Sequence, residues 1–296
     1  MPVNFRELAE QAMLTAIDVR DKWKRHDDDP LDVYALCHDI GVTVRFVPIP
    51  SMEGLYGRRD DGTSVILLPA QRPLSRRAFS CGHELGHHVF GHGSSIDEMI
   101  GTYTDRKGAS FDPNEFLVDT FAGFLLMPTL GVRHAFARRG WKATNATPEQ
   151  IFAVACSFGV GYETLIAHMA FSLRMLDRNC AKTLGKDSPK SIRERILGRP
   201  SAEPLIIVDR HWAMPTVDAE VGTLLLFPPS AEADGGGLVA GETSASSRLF
   251  RACRSGIVRV SVPGTSWAVF VRIAKREFVG LAQYRHLECE DDDSNE

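Results

Sequence analysis

Phe79-Ser80-Cys81-Gly82-His83-Glu84-Leu85-Gly86-His87 is the stretch on which both fold and chemistry turn. Four residues separate His83 from His87, and on a helix four residues advance about 40° past a full turn. Both imidazoles then leave one face roughly 6 Å apart, close enough to share a single tetrahedral zinc ion. Glu84, next to the first histidine, is placed to take a proton from an attacking water and is the candidate general base. Leu85, Val89 and Phe90 supply an apolar backing, and the helix is predicted to begin near Leu74, just after Pro73, and to stop at Gly91. The bland alternative is a pair of surface histidines beside a glutamate. His88 reads as a neighbour of the ligands rather than one of them.

A peptidase zinc site takes three protein ligands and leaves the fourth position to solvent. Three residues downstream compete for the third place. His92 would suit an extended histidine pattern, but such a pattern wants Gly three residues after the second His and His six after it, where this chain has Phe90 and Gly93. Asp105, in Gly101-Thr102-Tyr103-Thr104-Asp105, is an aspartate alternative. Glu115 is the strongest of the three. It follows His87 by 28 residues and sits early in a helix whose start is marked by Asp112 as N-cap and Pro113 in the first turn. Glu115 and Asp119 are again four apart, so the first can ligate while the second accepts the outer N–H of a ligand imidazole. Glu115 also suits the N3 place of a capping box, a reading that needs no metal but leaves Asp119 unexplained.

With these residues in place the chain resembles the ImmA/IrrE family of zinc metallopeptidases, of the gluzincin-like H-E-x-x-H…E kind. The likeness runs from Phe79 to His87, through Glu115 to Asp119, and on to Phe121-Ala122-Gly123-Phe124-Leu125-Leu126-Met127-Pro128, covering roughly residues 30 to 175. Val118-Asp119 stands where the family more often has Ala-Asn, and Leu117 where a second Glu is frequent. Neither departure removes a ligand. The resemblance implies His83, His87 and Glu115 as ligands of one Zn2+ per chain, Glu84 as general base, and a thermolysin-like α+β core. It also implies a protein substrate, since several members are similar in cutting a helix-turn-helix transcriptional repressor.

The chemistry expected is endopeptidase hydrolysis. Tyr56 and Tyr103 are candidates for stabilising the oxyanion, against the alternative of ordinary packing. The run Thr63–Leu68, if it ends a sheet beside the metal helix, could pair with an extended substrate backbone.

The expected organisation is a metallopeptidase core over residues 1–130, a helical helix-turn-helix-like segment over 131–176, and a linker over 177–204. A β-rich domain over 205–287 and an acidic disordered tail over 288–296 complete the chain. In the core, Phe5, Leu8, Ala12, Met13, Ala16, Val19 and Trp23 fall on one helical face. Pro30 to about Asp39 reads as a short helix ended by Gly41, and Val42–Val47 as a strand. In the helical segment, Thr147-Pro148-Glu149-Gln150 has capping-box form, and Ile151, Ala155, Gly159 and Leu165 have helix-turn-helix spacing. The rival function class is therefore a DNA- or ligand-binding transcriptional or stress regulator whose metal site is structural or inactive. Its would-be recognition helix, Tyr162 to Met169, holds Glu163 and no Lys or Arg, which argues for a structural or partner-docking role and against direct nucleic-acid contact. Strand-like runs at Leu205–Val208, Thr223–Phe227, Ile257–Val262, Trp267–Ile273 and Phe278–Tyr284 make the β-rich part a candidate regulatory domain that gates the protease.

Composition narrows the class. At 296 residues and 44% hydrophobic the chain can build one large core or two ordinary ones. The net charge is −4, and because the last nine residues carry six acidic groups the remainder stands at +2. That balance gives no electrostatic case for nucleic acid or anionic lipid. No stretch approaches 18 consecutive apolar residues and Met1–Glu10 lacks an apolar run, so neither a membrane span nor a secretion signal is expected. Six scattered cysteines with no C-x-x-C pair fit a reducing cytoplasm better than a disulfide framework.

Overall fold

The computed structural model describes residues 3–26, 28–59, 61–93, 95–98 and 112–287. Tyr103, Asp105 and the acidic tail lie outside the described residues. In chain order come helices α1 (Phe5–Lys22) and α2 (Val33–Ile40), then strands β1 (Val42–Val47), β2 (Met52–Arg58) and β3 (Ser64–Pro69). Helix α3 (Leu74–Val89), strand β4 (Ser95–Glu98) and helices α4 (Pro113–Leu126), α5 (Thr129–Arg138), α6 (Pro148–Ser157) and α7 (Tyr162–Ala167) follow. Helices α8 (Arg178–Leu184) and α9 (Pro189–Leu197) lead into β5 (Leu205–Ile207), β6 (Thr216–Glu220), β7 (Leu224–Phe227), β8 (Glu232–Asp234) and β9 (Leu238–Thr243). The last strands are β10 (Arg248–Ala252), β11 (Gly256–Ser261), β12 (Ala268–Ala274) and β13 (Gly280–Leu281). The class is α+β with three small sheets, and the chain divides into two compact units.

The first unit takes in Met1–His134, Phe171–Arg174 and Val279–Gln283. Its sheet runs β13-β1-β3-β2-β4, with β1 and β3 parallel and the other pairs antiparallel. Alternation does the sorting: Val42, Val44 and Phe46 of β1 point inward while Thr43 and Arg45 face solvent. Helix α2 begins at the Asp32 side-chain cap and ends on Gly41, whose φ of 90° a glycine takes without strain. Helix α3 lies against β2 and β3 on one side and α4 on another, and α1 packs on α4. Buried Arg20 joins α1 to its surroundings, donating to the carbonyls of Leu125 (2.6 Å), Asp29 (2.5 Å) and His26.

Two expectations change here. The run Thr63–Leu68 does not end a sheet: as β3 it is bonded to β1 on one side and β2 on the other, so its backbone groups are already used. The sheet ends instead at β4 and at β13. The run Phe278–Tyr284 shortens to Gly280–Leu281 and pairs with β1 through Arg45↔Leu281 and Phe46↔Gly280, so it belongs to the first unit rather than to the β-rich part.

The second unit takes in Ala135–Ala170, Met175–Phe278 and Tyr284–Glu296. Thr147 and Gln150 close a reciprocal capping box at the start of α6. The six-residue α7 runs into a wide π-type turn over His168–Ser172, bent by 100° from α6, and it buries Tyr162, Leu165 and Ile166. The stretch 177–204, expected as a linker, carries α8 and α9. Asp177 and Ser188 cap them, and Arg195 reaches both Glu149 (2.7 Å) and Asp187 (2.5 Å). Sheets β5-β7-β10-β9 and β6-β12-β11-β8 share one core in which Val217, Leu225, Phe227, Phe250, Val260, Val271 and Ile273 are buried. At its border, half-buried Asp218 receives Arg272 (2.7 and 2.6 Å) and Arg285 (2.7 Å).

Among the described residues, Pro113–Arg138 contains an 18-residue window apolar enough by composition to cross a membrane, with a mean hydropathy of 1.4, and 72% of that window is buried inside the protein, as in the core helix of a globular unit.

Candidate metal centre

Helix α3 turns His83, Glu84 and His87 inward, with 5%, 0% and 3% of their surface exposed. What brings α4 close enough to meet them is a seam of small residues. A methyl added at Gly86 would lie 2.9 Å from the Cβ of Val118, and one at Gly82 would touch Ala122 and Leu126 at 3.4 Å. Val118 and Ala122 are one turn apart on α4, so the seam fixes which face of that helix looks at α3. Glu115 precedes Val118 by three residues and Asp119 follows it, which places both carboxylates beside the histidines. Asp112 caps α4 by accepting from the Asn114 N–H (2.8 Å), and Pro113 occupies the first turn. The capping role therefore belongs to Asp112, and the Glu115 side chain goes to the histidines.

The geometry is specific. Glu115 Oε2 stands 3.3 Å from His83 Nε2, Glu115 Oε1 3.5 Å from His87 Nε2, and the two Nε2 atoms are 3.3 Å apart. One ligand atom from each of the three residues falls within a 4.8 Å group. Ligand bonds of 2.0–2.1 Å in a tetrahedron put neighbouring ligand atoms about 3.3–3.4 Å apart. The donor set fits a small divalent cation in both chemistry and spacing.

The outer nitrogens are engaged as well. His83 Nδ1 is 2.8 Å from Asp119 Oδ1; a carboxylate only accepts, so Nδ1 carries a proton and Nε2 is the nitrogen that could ligate a metal. His87 Nδ1 is 3.0 Å from His92 Nδ1. Ligation through His87 Nε2 requires His87 to donate here and His92 to accept. The His92 ring stacks on Phe90 with centroids 5.9 Å apart, and its backbone N–H donates to the His87 carbonyl (2.9 Å). His92 thus contacts the outer nitrogen of His87 instead of joining the His83-His87-Glu115 group, a place that a search for third ligands does not look for. Its signal in the sequence is faint: an imidazole five residues after His87, just past the glycine that stops the helix.

Tyr56 is directed elsewhere. It is 2% exposed, and its hydroxyl lies 3.0 Å from His88 Nδ1 and 3.4 Å from Ser64 Oγ, on the side of α3 that faces the sheet. Burial, followed by the charge of Arg58, pushes the His88 pKa down. The Tyr56 hydroxyl is thereby committed to the sheet–helix contact in place of the oxyanion role considered for it.

His83 and His87 on α3 and Glu115 on α4 thus form a helix-borne group inside an α+β unit that could hold a metal ion. Residues 37–169 match the peptidase family model described as the IrrE N-terminal-like domain, so this part of the chain is similar to the ImmA/IrrE family. No curated protein matches the chain.

Proposed function

We propose that the chain is a zinc-dependent endopeptidase. The observation that supports this best is the meeting of His83 Nε2, His87 Nε2 and Glu115 within a 4.8 Å group at tetrahedral spacing, next to the buried carboxylate of Glu84. His83, His87 and Glu115 would hold the ion, while Asp119 and His92 fix the two rings so that both lone pairs face it. When bound, zinc supplies Lewis acidity at a carbonyl and brings the pKa of water towards roughly 7. Glu84 takes the proton of the attacking water and returns it to the leaving amine nitrogen. A thermolysin-like arrangement of the first unit belongs to the same reading.

The substrate we favour is a protein, with a helix-turn-helix transcriptional repressor as the first candidate, met in the cytoplasm. The reading gives α6 and α7 no nucleic-acid contact, since α7 carries Glu163, lacks Lys and Arg, and spends Tyr162, Leu165 and Ile166 on packing. The β-rich strands are assigned a regulatory role on the same footing. The test is to incubate zinc-loaded wild type and Glu84→Gln with lysate of the source cell and map new protein termini by mass spectrometry. Cleavage by wild type alone, with equal zinc in both proteins, is the expected result. Equal cleavage by the two would remove Glu84 from the mechanism, and no cleavage by either would sink the endopeptidase reading.

A further inference from the structure

Strand β2 reads Met52-Glu53-Gly54-Leu55-Tyr56-Gly57-Arg58, and alternation puts Met52, Gly54 and Tyr56 on the buried face. That face meets α3 in step. Two strand residues span about 6.6 Å and one helical turn of four residues about 6 Å, so as Tyr56 meets His88, Gly54 meets Glu84. A Cβ built on Gly54 would collide with Glu84 Oε1 and stand 3.0 Å from its Cγ and 3.1 Å from its Cδ. The backbone of Gly54 is not in the left-handed region that calls for glycine. The three atoms nearest to a side chain there all belong to Glu84. Glu84 is fully buried on a helix pinned through Gly82 and Gly86 against α4, so it has little room to yield. Gly57, three residues along the same strand, is different: a Cβ there would meet only Leu55 and Val65 at ordinary contact distances of 3.5 and 3.6 Å.

The strand is also held in place at this point. Its register against β4 shifts between Met52 and Gly54, leaving Glu53 as the extra residue of a bulge. The Glu53 carboxylate is gripped by Arg76 in the first turn of α3 (2.8 and 3.0 Å) and by Arg72 (2.9 Å). The bulge and this grip tie the strand to the start of the helix that carries Glu84.

We infer that Gly54 is the positioning residue for Glu84: its missing side chain is the slot the carboxylate occupies, and that slot sets where the carboxylate stands relative to the metal ligands. The inference rests on the base role proposed for Glu84, and its test separates the two. Thermal unfolding of the metal-free full chain is compared for wild type, Gly54→Ala, Glu84→Ala, the double variant and Gly57→Ala. Gly54→Ala is expected to lower the midpoint by several degrees, to cost nothing once Glu84 is alanine, and to cost far more than Gly57→Ala. With zinc, Gly54→Ala should still take up one ion per chain. On a quenched fluorogenic peptide built on the mapped cleavage site, its kcat should fall on the order of 100-fold with KM little changed, the scale of loss for a group misplaced by about 1 Å. Equal midpoint losses with and without Glu84, or full kcat in Gly54→Ala, would overturn the inference. If Gly54→Ala alone fails to fold, the double variant must fold, and failure of both also overturns it. An inactive wild type would instead strike the proposed function, while the midpoint coupling still decides the contact.

Discussion

Two carboxylates, Glu115 and Asp218, each meet two nitrogen-bearing side chains, and the settings differ in what those nitrogens bring. At Asp218 they are guanidiniums, which are charged at any working pH. Burial pushes the Asp218 carboxyl up, but the charges of Arg285 and Arg272 outweigh it and hold its pKa below the ordinary carboxylate value. The cluster supplies its own cations. At Glu115 the nitrogens are imidazoles whose outer positions are turned to Asp119 and His92, so the inner ones are those that, unprotonated, can offer lone pairs to the proposed ion. Three electron-pair donors about 3.3–3.5 Å apart gain most when a cation sits among them. Charge content alone does not separate a structural ion cluster from a metal site; the protonation state that neighbours impose on each nitrogen does.

The comparison can be broken most forcefully at the ligands. His87→Ala should weaken zinc binding by ~1,000-fold or more, and the rise in unfolding midpoint that zinc gives wild type should shrink to match. Calorimetric titration with zinc checks the first and a thermal scan with and without chelator the second. Asp218→Ala should leave zinc binding untouched but cost about 2–3 kcal/mol of stability, less than a fully buried pair because 28% of the Asp218 side chain is exposed. The sign of its pH dependence follows from the depressed pKa: the stabilisation is present above the unfolded value of about 3.9 and is lost as pH falls through the lower folded value. Denaturant unfolding of wild type and Asp218→Asn should therefore converge below about pH 4 and separate above it. Asp119→Ala should reduce zinc affinity by roughly 10- to 100-fold by releasing the His83 ring. His92→Ala should cost about tenfold or less, since a neutral imidazole orients His87 more weakly than a carboxylate orients His83.

The site was legible where chemistry imposes a spacing. His83 and His87 must be four apart to share a helix face, and Glu115 and Asp119 repeat that interval behind the Asp112-Pro113 start, so both helices could be read from the chain. The packing that joins them was not. That Gly86 seats Val118 and Gly54 seats Glu84 is a fact about partners distant in sequence, and a glycine looks the same in a turn as in a slot. Strand β2 carries no strand signature for this reason, its two glycines breaking the β-branched pattern. Thr63–Leu68 was recognisable as a strand but not as an interior one, because order in a sheet depends on which strands return to it. Residues 177–204 misled in the opposite direction: Asp177 and Ser188-Pro189 are turn-like in composition and are also helix caps, and only the Arg195 contacts show which use prevails.

X-ray absorption at the zinc edge of the stoichiometrically loaded wild-type chain tests the central claim most directly. The account predicts one zinc per chain bound by two imidazole nitrogens and carboxylate oxygen at about 2.0–2.2 Å, with the imidazole signal halved in His87→Ala. Sulfur in the coordination shell, or a zinc signal that His87→Ala and Glu115→Ala leave unchanged, would contradict it.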